Sequence, residues 1–410
     1  MPTGSVASIR EDYAQIHRRK KGPLPQGHHA KSPFYAFRAD RGSIISKGSD
    51  GTVRKTGEAD LPLHTGPVPR WLFRRMKRLA REIIRALVEE YDRDEVLRRL
   101  SDPFWFQALG CALGFDWHSS GLTTTTCAAL KEGLSAISHE LGIFFAGGKG
   151  RTSLRTPDEI REVCDKIGID AEPLIYASRM AAKVDNVAVQ DGYQIYHHTF
   201  VFTADGKWAV IQQGMNEATG MARRYHWASE SLRSFVEEPH TAICAGRREE
   251  RVLNMVSSES RGAREASVEI VKEKPERILL EWKKVLTLEM PRRHWLKPVD
   301  FDLGRLYKAL RLAHEADPRN YEQLLGVRGV GPATVRALAL LSELLFGKPP
   351  SWRDPARFAF AHGGKDGHPF PVDRRTYETS IAVLQRAVEA AKVGDREKIE
   401  ALRRLSRLLR

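Results

Sequence analysis

Three sets of residues in this 410-residue chain have types and spacings that could do chemistry. The first is the run from Leu324 to Leu338, which reads as a helix, a Gly-Val-Gly hairpin and a second helix. Gly329 and Gly331 can take a positive φ and let a foreign backbone approach. Pro332 suits a first helical position because it has no N–H to leave unbonded. The N–H groups of such a turn and the helix dipole point outward together and attract an anion. Arg328, Gly329, Val330, Gly331, Ala333, Thr334 and Arg336 are the expected phosphate contacts. The same run also suits a plain turn between two core helices, since Leu324, Leu325, Val330, Val335 and Leu338 are apolar in either case.

The second is Asp373, which ends a Gly/Pro-rich loop beginning at His362. A fixed carboxylate there could stabilise positive charge or activate water, or could simply cap the helix that follows. The third is the group Asp185, Asp191, His197, His198, Gln212, Gln213 and Asn216, on or beside apolar strands. Acids, histidine and glutamine on paired strands could hold Mg²⁺ or Mn²⁺ in a nuclease, or could be buried residues bonded to one another. Neighbouring strand residues face opposite sides, so His197 and His198 meet in one site only across a bulge. A weaker group joins Asp116, His118, Ser119 and Ser120 with the run Arg223-Arg224-Tyr225-His226-Trp227, whose charges and rings suit a nucleic-acid surface.

The charge agrees with a nucleic-acid partner. The chain carries 66 Lys and Arg against 52 Asp and Glu, a net +14, and such an excess favours polyanions. Residues 1–55 hold eleven of the basic residues and four of the acidic ones and read as a disordered basic arm. Cys111, Cys127, Cys164 and Cys244 lack the close spacing of a zinc or iron–sulfur site and are expected as reduced thiols. No apolar run is long enough to span a membrane and no signal-peptide core is present, so a cytoplasmic protein without a membrane partner is expected.

Elements to position these residues follow from periodicity. A helix is expected over 70–87, with Leu72, Met76, Leu79 and Ile83 on one side and Arg74, Arg78, Arg81 and Arg85 on the other. That basic side reads as a solvated face or a phosphate track. Thr156-Pro157-Asp158-Glu159 has the form of a capping box. Tyr193 to Thr203, an Asp205-Gly206 turn and Trp208 to Gln213 read as a β-hairpin, with Val184 to Val189 as a further strand beside it. Polar residues 246–272 read as a linker, and helices are expected near 275–289, 303–316, 319–326, 332–346 and 374–408. The expected fold is α+β: a mainly helical first domain over 56–245 with a β-hairpin or small antiparallel sheet, then an all-α domain over 273–410.

Two resemblances add to this reading. The 324–338 segment followed by Asp373 resembles the helix-hairpin-helix DNA glycosylase superfamily over roughly the last third of the chain. That resemblance implies DNA as partner and a DNA-repair role, with Asp373 acting on a flipped-out nucleotide. Ala333 stands where family members with lyase activity carry lysine, which implies a monofunctional, cofactor-free glycosylase. Forty positions separate Ala333 from Asp373, more than the family usually shows. Separately, Gly57 to His64, Phe115 to Gly121 and Asp191 to His198 resemble segments of domain-of-unknown-function family 763. A metal-dependent nuclease centred on 185–216 and a noncatalytic helix-hairpin-helix DNA-binding module stand as alternatives.

Overall fold

The computed structural model describes residues 45–47, 53–55, 68–115, 120–245, 248–285, 302–356 and 374–408. The chain divides into two compact units, Met1–Gly57 and Glu58–Arg410. In the first, β1 (Ile45–Lys47) pairs antiparallel with β2 (Val53–Lys55). The remainder of the basic arm, with Arg18 to Lys21, lies outside the described residues.

The strands of the second unit are β3 (Ile143–Lys149), β4 (Val189–Gln190), β5 (Gln194–Thr203), β6 (Trp208–Asn216), β7 (Met221–Ala228), β8 (Ala242–Cys244) and β9 (Leu253–Asn254). Five of them form one antiparallel sheet in the order β3-β5-β6-β7-β8, while β4 pairs with β9. The expected hairpin is β5–β6, closed at Gly206 with φ +82°. β3, β7 and β8 complete a sheet around it, because aromatic and β-branched residues on both faces must be covered.

The helices are α1 (Arg70–Glu90), α2 (Arg93–Ser101), α3 (Pro103–Leu113), α4 (Gly121–Leu134), α5 (Ser138–Leu141), α6 (Arg151–Leu154), α7 (Thr156–Ile167), α8 (Glu172–Lys183), α9 (Arg261–Lys272), α10 (Pro275–Val285), α11 (Leu303–Ala316), α12 (Tyr321–Gly326), α13 (Pro332–Phe346), α14 (Arg374–Ala390) and α15 (Asp395–Leu408). Ile143, Val201, Ala209 and Ile211 pack with α1–α4 and with α14 and α15. Phe144, Phe200, Phe202, Val210 and Trp227 pack on the opposite side with α7–α13. The fold is therefore α+β with helices on both faces of the sheet, and α3, apolar except for Gln107, is buried throughout. Asp102 caps α3 by accepting from the Phe104 and Trp105 amides.

Three expectations are corrected. Val184–Ala188 is a π-helical turn that extends α8, not a strand beside the hairpin. Thr156 and Glu159 do not close a capping box: the Thr156 hydroxyl donates to Ser153 O, and Glu159 accepts from Gly147 N and Lys131. The 246–272 stretch, from 248 onward, holds β9, a turn at Ser258–Ser260 whose last serine is buried, and α9. Its serines looked like a linker, but Ser260 Oγ donates to Asn254 O and accepts from Ser351 N. One apolar core runs from Phe200 through Ala263 and Val268 to Leu341, so the boundary expected there crosses shared packing.

Where α1 and α4 meet, a Cβ on Gly133 would lie 2.4 Å from Lys77 O. Backbone cannot yield as a side-chain tip does, so Gly133→Ala should destabilise the chain by about 2 kcal/mol. Thermal unfolding checks this; an unchanged midpoint would show that the two helices can separate at little cost.

Candidate nucleic-acid interface and the buried networks behind it

The Gly-Val-Gly turn joins α12 to α13 as the sequence suggests. Gly329 has φ +86°, while Gly331 is extended at φ −119° and N-caps α13 without a side chain to bond its first amides. Pro332 is the first helical residue, so the uncapped donors are the following N–H groups. Arg328, Gly329, Pro332 and Ala333 are exposed, whereas Val330 is a core residue. The turn is thus held by its valine and open along its glycines. Two expected contacts differ from expectation: the Thr334 side chain is buried, and Arg336 Nε donates to Gln190 Oε1 at 2.9 Å. Gln190 also donates through Nε2 to Pro332 O at 2.8 Å, fastening the start of α13 to β4.

Beside Gln190 stands Asp191, the centre of a buried ionic network. Its Oδ2 accepts from Arg223 Nη1 at 2.9 Å and from Tyr225 OH at 2.6 Å, and its Oδ1 accepts from Tyr193 N at 3.0 Å. Arg223 also makes a paired contact with Asp354 at 2.9 and 2.7 Å. Burial pushes the Asp191 carboxyl upward, against the opposing pull of Arg223 and its other donors. For Arg223, burial alone would favour proton loss, but Asp191 and Asp354 more than reverse it and raise its pKa. The run Arg223 to Trp227 is consequently the interior strand β7, not a nucleic-acid surface.

A second network lies at the π-helical turn. Gln212 Oε1 can only accept, so His198 Nδ1, 2.8 Å away, carries the proton and its Nε2 accepts from Ser178 Oγ at 2.9 Å. Gln212 Nε2 donates to Asp185 Oδ2 at 2.5 Å, joined by Trp227 Nε1 at 3.0 Å, and His240 Nε2 meets Asp185 Oδ1 at 2.5 Å. Serine, histidine and acid occur here, but Ser178 is buried and Gln212 separates its partner His198 from Asp185. The arrangement fastens α8 and its π turn to the sheet.

His197 and Gln213 occupy the opposite sheet face. A bulge does fall at Tyr196, but it does not bring His197 and His198 together. His197 Nε2 meets Thr199 Oγ1 at 3.0 Å, and Gln213 donates to Ser120 O and to Tyr196 OH. The six residues of the metal-nuclease alternative therefore belong to three separate settings: Asp185, His198 and Gln212 in one, Asp191 in another, His197 and Gln213 in the third. Among the described residues, no cluster of three or more His, Cys, Asp or Glu side chains is arranged to hold a metal ion. Cys111, Cys127, Cys164 and Cys244 are buried thiols outside any disulfide, and burial pushes Cys127 and Cys244 up to about 12. Asp373, with its loop from His362, and Asp116 to Ser119 lie outside the described residues.

Sequence reasoning missed Gln190, Ser178, His240 and Asp354. Their partners lie too far along the chain for spacing to reveal; Gln190 and Pro332 are 142 positions apart.

Burial pushes His197 down to about 3, lowers His198 and lowers His226 strongly. All three are depressed in the folded chain, so folding favours the neutral rings. Their stabilisation is complete above the unfolded value near 6.5 and is lost as pH falls below it, at about 1.4 kcal/mol per pH unit for each ring. Urea unfolding should show a lower midpoint at about pH 5.5 than at about pH 7.5, and His197→Gln should reduce that difference by about one third. A pH-independent midpoint would contradict the neutral assignment.

No curated protein and no solved structure matches this chain. A family model described as "Protein of unknown function (DUF763)" matches residues 57–372, well over half of the chain, and takes in both the sheet and the α12–α13 hairpin. The chain belongs to the DUF763 family.

Proposed function

We propose that this protein is a DNA-binding protein that holds the phosphate backbone through the α12–α13 hairpin. The observation that carries this reading is the exposed, uncapped start of α13 beside a positive-φ glycine. Such a turn offers backbone N–H donors and the positive helix end to an anion without sequence preference. The net charge of +14 supports a polyanionic partner. Gln190 and the buried Val330 support a preorganised turn.

Within this reading, base excision is the reaction we assign to Asp373. Its carboxylate stabilises positive charge on the sugar as the N-glycosidic bond breaks, water adds at the sugar carbon, and the base leaves with a proton. Ala333 offers no amine for a covalent intermediate, so the strand stays intact.

Ala333→Glu tests the anchor without sacrificing the fold. A carboxylate in the first turn favours the helix dipole by about 0.3–1 kcal/mol, yet it repels phosphate. Duplex binding by the full chain should weaken about tenfold or more near 0.1 M salt, with the thermal midpoint unchanged or slightly raised. Wild-type affinity in Ala333→Glu would overturn the hairpin assignment. With chelator present, free base released from duplexes carrying damaged bases should disappear in Asp373→Asn. Persistence of release would move the chemistry elsewhere, and strand cutting that needs Mg²⁺ would favour the nuclease alternative.

A further inference from the structure

Helix α1 carries an uncommon surface for a helix whose other side is core. Met76, Leu79, Ala80, Ile83, Ile84 and Leu87 are buried. Trp71, by contrast, is 57% exposed. Arg70, Arg74, Arg75 and Arg78 are exposed around it, and no acidic residue occurs between Arg70 and Arg81. Trp71, Arg74, Arg75 and Arg78 follow the i, i+3, i+4, i+7 spacing that places side chains on one helical face.

Among the described residues, the contacts made by this face leave it largely exposed. Arg75 Cζ lies 5.4 Å from the Trp71 ring centroid. Arg75 and Arg78 reach Glu397 of α15 only at 3.9 and 3.7 Å, and their side chains remain 50% and 57% exposed. Arg74 Nε donates to Arg70 O at 3.4 Å, within the same helix. Exposed ion pairs of this kind contribute little and are readily exchanged.

Resting on the DNA-binding reading above, we propose that this face is a second nucleic-acid contact which stacks an unpaired base on Trp71 while the arginines hold the adjoining phosphates. A cationic face meets a polyanion, and an exposed indole among cations is the pairing that single-strand binders use. Duplex bases are already stacked, so the ring favours single-stranded or opened nucleic acid. A membrane surface fits less well: insertion needs an apolar helix face, and that face of α1 is buried in the core.

The test uses the full chain, a fluorescein-labelled oligothymidylate of about 16 nucleotides, and a mixed-sequence duplex of equal length. Trp71→Ala should weaken oligothymidylate binding between about 5-fold and about 100-fold, while duplex binding stays within about twofold. Trp71→Phe, which keeps a ring, should recover much of the loss. Arg74→Gln with Arg78→Gln should weaken binding and flatten its salt dependence. Unchanged oligothymidylate affinity in Trp71→Ala overturns the proposal, as does Trp71-dependent sedimentation with anionic phospholipid vesicles that oligothymidylate fails to displace. The two readings fail separately. Duplex binding that responds to Ala333→Glu, with no effect of Trp71→Ala, removes only the stacking surface; the reverse pattern removes only the hairpin anchor.

Discussion

Arg223 sits in the interior with carboxylates of Asp191 and Asp354 against it. Removing one partner from a buried ion pair costs about 3–5 kcal/mol, because a charge is left without water or counter-charge. Three distant parts of the chain are therefore tied together: strand β7, the corner between β4 and β5, and the segment that follows α13. That corner carries two adjacent side chains with different duties. Asp191 closes the ionic network, and Gln190 grips Pro332 O and Arg336 at the start of α13. The exposed hairpin is held from behind by the same short stretch that neutralises the buried arginine.

Polar side chains on the sheet follow from its burial on both faces. With helices on either side, no face of β5 or β6 is left to water; although His197 Nδ1 and Gln213 Oε1 have no partner among the described residues, polar groups there turn to protein partners. Gln212 does this by spanning His198 and Asp185, and Arg224 by reaching Gln107 and Thr123. Acids, histidines and glutamines dense enough in sequence to suggest a metal site are thereby distributed between faces. Strand parity separates His197 from His198, and the Tyr196 bulge leaves that separation intact.

The parts legible in the sequence are those set by local chemistry. Gly329, Gly331 and Pro332 specify a turn and a helix start from backbone preference alone, and Asp205-Gly206 does the same between β5 and β6. Periodicity locates α1 because one side of it lies against the core, whereas α13, buried on all sides over residues 337–342, is marked by its Pro332 start. Non-local requirements were illegible. β3 ends in Gly147-Gly148-Lys149, a composition that favours a loop, yet it pairs along its length with β5. β7 looked like a charged surface because neutralisation by Asp191 and Asp354 depends on residues 32 and 131 positions away. The serines near 257–260 looked like a linker because their bonds to Asn254 and Ser351 are likewise invisible to composition.

The hairpin's construction bears on how it would bind. Arg336, the cation nearest the start of α13 in sequence after the turn, spends its Nε on Gln190, and Thr334 faces inward. Backbone amides and the helix end are left as the principal donors at the turn. Amide donors held by a rigid turn need no side-chain ordering on binding, whereas each immobilised long side chain costs about 0.5–1.5 kcal/mol. They also carry no information about bases. A contact of this kind fixes where a phosphate sits and leaves any discrimination to groups elsewhere. The exposed indole on α1 is of the complementary kind, since a ring distinguishes an unstacked base from a stacked one while ignoring its identity. Together these two chemistries would select a state of the nucleic acid, opened against closed, rather than a sequence.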